Sequence, residues 1–273
     1  PAGSITGLLG LGARHGDRLR IRAADPAAAA KLAAFIESGC GEAEQPPAPP
    51  AAAVRQPPEG HLAGIPASEG VAVGPLFRFR PPAAAVPARK AEDGKAEWER
   101  LAAAIRGAVE ETRTLAAWAT KNAGADEAGI FDAQALSLED AELTTAVSAG
   151  VLQEGLSAEQ ALKRETDAFT ARLRALDDPY LRARAADVAD VAERVLLRLT
   201  GMSEAPAIPG EPCILSARDL APSQVRDMDP RLVLGLCLES GSASSHSVIL
   251  ARATGIPAVV GLGPRLSGAA DGT

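Results

Sequence analysis

The spacing of apolar residues predicts a long helical region in the middle of the chain. Between residues 90 and 200, apolar side chains recur every three or four positions, which is the period of an amphipathic helix. A break at 123 to 126 and a capping box at Ser157 and Gln160 mark the ends of individual helices. We therefore expect an all-α bundle, with helices around Trp98 to Leu115, Ile130 to Leu138, Glu142 onward, Ser157 onward and Val188 to Leu199.

The segments on both sides of this bundle have the pattern of strands. Before it, Val71, Val73, Phe77 and Phe79 are strand-like apolar positions, interrupted by Gly74-Pro75. After it, short apolar runs predict strands at Pro212 to Ser216, Leu232 to Leu238 and Ile256 to Val260. The bundle is thus inserted between strand-forming segments of an α/β unit.

A helix is predicted between the last two strands, where Val248, Ile249 and Leu250 form its apolar stretch. The small residues Ser240 to Ser245 precede it, and Gly255 is a suitable residue to end it. His246 therefore lies in the first turn, with Ser244 or Ser245 as the N-cap.

The first 59 residues predict a small unit and a linker. Ser4 can cap a helix over Ile5 to Leu11, Arg18 to Ala23 alternates like a strand, and Asp25-Pro26 starts a helix that Gly39 ends. These elements are too few to bury a stable core alone. Residues 43 to 59 are rich in Ala and Pro, which is typical of an extended linker.

Composition narrows the possible functions. The chain is 47% apolar and 23% charged, ordinary for a soluble protein, and its net charge of −7 argues against nucleic acid as a partner. No apolar run is long enough for direct membrane insertion, and no signal peptide pattern opens the chain. Three widely spaced cysteines suggest neither a zinc site nor a disulfide framework. We expect a cytoplasmic protein.

The position of His246 suggests a reaction. A helix start offers free backbone N–H groups and a positive dipole end, which together bind phosphate. A neutral imidazole is a competent nucleophile near pH 7. His246 could therefore accept a phosphoryl group, although a polar histidine beside a helix cap explains the spacing equally well.

The residues around His246 resemble the phosphohistidine domain of Enzyme I of the phosphoenolpyruvate:sugar phosphotransferase system. The match includes Gly241, Ser245-His246, Ile249 to Arg252 and Gly255 to Gly261, while Ser242 replaces a glycine and Ser244 a threonine. The resemblance implies that His246 forms a tele-phosphohistidine, that Ser244 and Ser245 stabilise the phosphate, and that Arg252 contacts the phosphate or braces the helix.

Other segments resemble the same system. Ser4 to Ala13 is similar to HPr, its phosphocarrier, where Ser4 matches a serine that is phosphorylated for regulation. Gly64 to Pro75 and Leu176 to Val191 resemble further parts of Enzyme I. Ile130 to Asp140 resembles the HPr-docking helix, which implies docking roles for Gln134, Ala135, Ser137 and Leu138.

The resemblance implies the following architecture. Residues 1–42 are the α+β C-terminal half of an HPr-like domain, and 43–59 are the linker. Residues 60–89 and 201–273 form the α/β phosphohistidine (swivelling) domain, truncated at its C-terminus, and 90–200 form the inserted all-α HPr-docking subdomain. The chain is expected to be a fragment of an HPr–Enzyme I fusion.

The implied activity is transfer of a phosphoryl group from phosphoenolpyruvate to His246 and then to HPr, fused or free, for sugar uptake. Downstream partners would be IIA-type proteins. No cofactor or metal is expected in this fragment, since Mg²⁺ and homodimerisation belong to a C-terminal barrel outside it.

Two alternatives stay open. A pyruvate phosphate dikinase or phosphoenolpyruvate synthase has a swivelling domain with a similar histidine motif, usually with cysteine where this chain has Ser245. A non-catalytic docking or regulatory relative is the other alternative.

Overall fold

The computed structural model describes residues 4, 11, 13, 16–39, 60–80, 84–177, 179–202, 208–220, 222–241 and 246–269. The helices are α1 (Pro26–Glu37), α2 (Gly94–Asn122), α3 (Ala125–Leu138), α4 (Ala141–Leu152), α5 (Ala158–Arg174), α6 (Pro179–Thr200), α7 (Pro222–Arg226) and α8 (His246–Thr254). The strands are β1 (Ile65–Ser68), β2 (Leu76–Arg78), β3 (Cys213–Ala217), β4 (Val233–Leu238) and β5 (Ala258–Val260), and a 3₁₀ turn spans Pro264–Gly268.

Helices α2 to α6 form the predicted bundle, and local capping sets most of their starts. The Asp93 and Asp140 carboxylates accept hydrogen bonds from backbone N–H groups of α2 and α4. At α5 both halves of the Ser157–Gln160 capping box are present. The predicted break between α2 and α3 is a sharp turn at Gly124, whose φ of 126° suits glycine alone.

The strands form one five-stranded sheet in the order β1-β5-β4-β3-β2. Strands β2, β3, β4 and β5 run parallel, and β1 pairs antiparallel with β5. Because β2 to β5 advance across the sheet in one direction, right-handed crossovers place their connecting helices on one face. Sequence and structure agree on a helical part joined to an α/β part.

The main core lies between that face of the sheet and the helices. Leu215, Leu236 and Val260 of the sheet pack in one cluster with Val248 and Leu250 of α8. The same cluster includes Leu115 of α2 and Phe131 of α3, so the bundle and the α/β unit share packed side chains. A second cluster fills the interior of the bundle, around Leu101, Val151, Leu162 and Val195.

The opposite face of the sheet is crossed by the segment that joins β1 to β2. A Cβ at Gly235 would lie 2.9 Å from the Ala72 Cβ, so the segment contacts the sheet closely there. Val71 and Val73 are 91% and 85% exposed and belong to no strand. Their predicted place in a strand is wrong, because this segment crosses the sheet and pairs with no described strand.

The N-terminal predictions have mixed outcomes. Helix α1 forms as expected, with Asp25 accepting from the Ala27 N–H at 2.9 Å and Pro26 at its first position. Residues 18 to 23 form no strand, since no described strand lies beside them to pair with their backbone. The predicted helix at Ile5 to Leu11 lies almost entirely outside the described residues.

Candidate functional site

The segment that leads to His246 leaves the carboxyl end of β4, which lies between β3 and β5. The Glu239 and Ser240 N–H groups donate to carbonyls of Ala217 and Arg218, which extends the ladder with β3. On the other side the Gly261 N–H donates to the Ser240 carbonyl at 3.2 Å. Gly241 then turns the chain off the sheet with a φ of 103°. The base of this loop is therefore held on both sides.

His246 is the first residue of α8, as predicted. Ser244 and Ser245, the predicted caps and phosphate ligands, lie outside the described residues, as does the His246 side chain. The backbone nevertheless places His246 at the N-terminal end of a helix, at the carboxyl edge of a parallel sheet. The first turn of a helix has N–H groups without partners inside the helix, and it lies at the positive end of the helix dipole.

Packing and capping fix the direction of α8. Val248, Leu250 and Ala251 are buried against the sheet. At the far end, Gly255 has a φ of 73°, its N–H donates to the Arg252 carbonyl, and the Ile256 N–H donates to the Ala251 carbonyl. This pair of bonds is a Schellman motif. A short helix held at both its side and its end can present its first turn rigidly.

Arg252 braces α8 and does not approach its first turn. Its Nε donates to the backbone carbonyl of Ala67 in β1. Six residues separate it from His246, which is about 9 Å along the helix axis and a different side of the helix. Of the two roles expected for Arg252, the structure shows the brace. The expected contact of Arg252 with a phosphate on His246 stays a prediction.

The helix expected to dock a carrier is α3, and it buries most of the residues named for that role. Gln134, Ala135 and Leu138 are each 3% exposed, because this side of α3 packs into the bundle. Ser137 is half-buried, and its hydroxyl donates to the Ala133 carbonyl at 2.9 Å. The expectation that Gln134, Ala135 and Leu138 contact a partner is therefore wrong. The outward side of α3 presents Leu136, which is 53% exposed.

Ser4 lies against the corner between α3 and α4. Its hydroxyl is buried and donates to the Asp140 carboxylate at 2.9 and 3.0 Å, with Glu142 Oε2 at 3.3 Å. The sequence pattern marks Glu142 only as the approximate start of a helix and Asp140 only as the end of the match to the docking helix, so the contact with Ser4 was not predicted. The contact brings the N-terminal segment onto the bundle.

The remaining candidate chemistry is limited. Among the described residues, no group of three or more His, Cys, Asp or Glu side chains comes together to hold a metal ion. Burial raises the pKa of the Cys213 thiol and of the Cys237 thiol, so neither is an activated nucleophile. No helix within the described ranges is long and apolar enough to cross a membrane.

Two family descriptions match the chain. Residues 63–184 match "PEP-utilising enzyme, N-terminal", and residues 208–273 match "PEP-utilising enzyme, mobile domain". The second range contains β3 to β5, α8 and His246.

Curated relatives and solved structures match the same region. The chain is 37% identical over 204 residues to a phosphoenolpyruvate-protein phosphotransferase of Geobacillus stearothermophilus, covering 74% of this chain and 35% of the relative. The relative from Bacillus subtilis (strain 168) is 36% identical over 201 residues, which is 73% of this chain and 35% of the relative. The chain therefore spans about a third of the length of the curated relatives that it matches.

An NMR structure of Enzyme I (nEIt) superposes with a TM-score of 0.58 at 31% identity, covering 78% of this chain and 87% of that chain. A structure described as "N-terminal domain of Enzyme 1 - Nitrogen" gives a TM-score of 0.56 at 30% identity, with 74% of this chain and 83% of that chain covered.

Proposed function

Because this chain belongs to the PEP-utilising enzymes of the Enzyme I type, we propose that it carries the phosphohistidine of a phosphoenolpyruvate-protein phosphotransferase. His246 takes a phosphoryl group from phosphoenolpyruvate and passes it to a histidine of an HPr-type carrier. The observation that carries the proposal is the place of His246 at the first residue of α8, at the carboxyl end of a parallel strand.

The reaction needs one nucleophile and a site for phosphate charge. The Nε2 atom of the neutral His246 imidazole attacks phosphorus, which gives a tele-phosphohistidine. The P–O bond to enolpyruvate breaks as the N–P bond forms. The enolate leaves with the electron pair of that bond. In the second step the carrier imidazole attacks the same phosphorus, and His246 leaves as neutral imidazole. In both steps we assign stabilisation of the phosphate to the N–H groups of α8 and the hydroxyls of Ser244 and Ser245.

We also propose that the bundle docks the carrier and that residues 1–42 are part of one. The contact of Ser4 with Asp140 and Glu142 supports this, because it seats the HPr-like segment at the α3–α4 corner. Exposed Leu136 lies one helical turn before that corner. A linker of roughly 17 residues raises the local carrier concentration toward the millimolar range, so weak contacts are enough.

Labelling with radioactive phosphoenolpyruvate and Mg²⁺ tests the first proposal, using the chain joined to the remaining length that its relatives have. We expect an acid-labile, base-stable label in the wild type and in the control His61→Ala, which removes an exposed histidine. His246→Ala should carry none. Labelling of Enzyme I residues that persists in His246→Ala would overturn the assignment.

Single-turnover transfer tests the roles of the serines and of the tether. Replacing Ser244 and Ser245 together by Ala should slow transfer at least tenfold, since a charge-assisted hydrogen bond contributes about 1.5–3 kcal/mol. With the carrier completed on its N-terminal side, cutting the chain after residue 59 should weaken carrier docking, and covalent fusion should restore fast transfer. Micromolar affinity for a free carrier, with transfer as fast as in the fusion, would contradict the second proposal.

A further inference from the structure

A cavity lies at the carboxyl edge of the sheet, beside the 3₁₀ turn. It has a volume of about 260 Å³ and is bounded by the ends of β2, β3 and β4 and by the 3₁₀ turn. Ligands of open α/β sheets bind beyond the carboxyl ends of the parallel strands, and this cavity is at that edge. Its volume is below the roughly 300–1,000 Å³ of pockets for drug-sized molecules, so it suits a smaller compound.

Strand register decides which side chains line it. Arg78 pairs with Ser216, and Ala217 pairs with Leu238, so the following residues Arg80, Arg218 and Glu239 form one row across three strands. Successive residues of a strand alternate between faces. Phe79, Ala217 and Leu238 point into the core, which places the charged row on the opposite face.

The two arginines of this row have no acidic partner among the described residues. Arg80 and Arg218 are both exposed, and neither side chain has a hydrogen bond or an ion pair with any residue in the described part of the chain. Adjacent like charges on neighbouring strands are unfavourable. The chain as a whole has a surplus of acidic residues, 35 against 28 Lys and Arg, so an unpaired basic pair is not a consequence of composition.

The other walls are held in place. Arg78 donates through Nη2 to the carbonyls of Ser267 and Ala269, which ties the 3₁₀ turn over the strand ends. The Ser267 hydroxyl donates to Glu239 Oε1. Glu239 Oε2 has no partner among the described residues, so it can accept a hydrogen bond from a ligand.

We propose that this cavity binds a small phosphorylated compound that also carries a hydroxyl group. The guanidinium groups of Arg80 and Arg218 match the geometry of a phosphate, and the Glu239 carboxylate accepts from the hydroxyl. The carboxylate repels a bare anion and thereby favours a ligand with a donor beside its phosphate. None of the described residues that line the cavity belongs to α8, the helix that begins at His246.

Isothermal titration of the full chain tests the proposal with three probes, namely glycerol 3-phosphate, inorganic phosphate and glycerol. We expect saturable binding of glycerol 3-phosphate, weaker binding of phosphate and none of glycerol. Arg80→Gln with Arg218→Gln should reduce the affinity for both anions at least tenfold. Arg106→Gln, which removes an exposed and unpaired arginine from α2, is the matched control and should change neither.

Glu239→Ala tests recognition of the hydroxyl group separately from recognition of the phosphate. It removes both the repulsion and the acceptor, so the affinity for phosphate should rise and the preference for glycerol 3-phosphate should disappear. Circular dichroism confirms that each variant is folded. Non-saturating binding, or equal affinities in the double variant and the Arg106 control, would overturn the proposal, because it would mean only general attraction of anions to surface charge.

Discussion

The carboxylate of Glu97 joins α2 to α5, and its partner Arg100 extends the connection to α6. The Glu97 side chain is 10% exposed, and its Oε1 accepts from Arg89 at 2.7 Å, from Arg100 at 2.8 Å and from the Ala158 N–H at 2.8 Å. Arg100 also donates to the Leu199 carbonyl at the end of α6. Burial alone would raise the pKa of Glu97, but the hydrogen bonds from Arg100, Ala158 and Arg89 outweigh it and lower the pKa from 4.5 to about 2.

A lowered pKa in the folded state means that ionised Glu97 stabilises the fold above its unfolded pKa of 4.5. The difference corresponds to about 3 kcal/mol at pH 7, at 1.36 kcal/mol for each pKa unit. As the pH falls, the unfolded state takes up its proton first, so the contribution decreases to roughly half at pH 3 and vanishes below pH 2. We predict that Glu97→Gln lowers the free energy of unfolding by about 2–3 kcal/mol at pH 7 and by about half as much at pH 3.

Urea unfolding followed by tryptophan fluorescence measures this, because both tryptophans, Trp98 and Trp118, lie in α2 and report on the bundle. Glu154→Gln is the control, since Glu154 pairs with Arg164 on the exposed surface. Glu154→Gln should change the free energy of unfolding only slightly at either pH value. If Glu97→Gln lowers the free energy of unfolding equally at pH 7 and pH 3, the electrostatic account is refuted. If the free energy does not change, the desolvation cost of the carboxylate cancels its hydrogen bonds.

Three further changes test other parts of the structure. Gln134→Leu should stabilise the bundle by about 1–3 kcal/mol, because neither polar atom of this buried amide has a partner among the described residues; a lower urea midpoint would show that the amide is satisfied in solution. Gly235→Ala should destabilise the α/β unit by about 1–3 kcal/mol, because the new methyl would lie 2.9 Å from the Ala72 Cβ, whereas Gly129→Ala, in open space, should not. Ser4→Asp puts a carboxylate against Asp140 and should speed amide exchange in the first turn of α4, while Ser4→Thr should not.

The bundle was predictable because its signals are local. A capping box acts within a few residues, so Ser157 and Gln160 mark a helix start wherever the helix packs. The helix that begins at His246 was predictable for the same reason, since Gly255 ends it through bonds within the same turn.

The errors concern what each element packs against. Alternating valines look alike in a paired strand and in a segment that crosses a sheet, so Val71 and Val73 could not be assigned from their pattern. A motif match at α3 names residues without saying which side of the helix faces the bundle, which is why Gln134 was expected at the surface. The direction of Arg252 likewise depends on β1, which pairs with β5 from the other end of the chain.

The insertion of the bundle between β2 and β3 also determines the order of folding. Leu76 pairs with Ile214 and Ile65 with Val260, well over a hundred residues later in each case. At a synthesis rate of about 5–20 residues per second, the partner strands of β1 and β2 are made on the order of ten seconds after them. The helices need only local contacts and form much sooner. The Arg100–Leu199 hydrogen bond joins the first and last helices of the bundle. Folding of the bundle therefore brings β3 next to β2 and removes most of the entropy cost of closing the chain between these two strands.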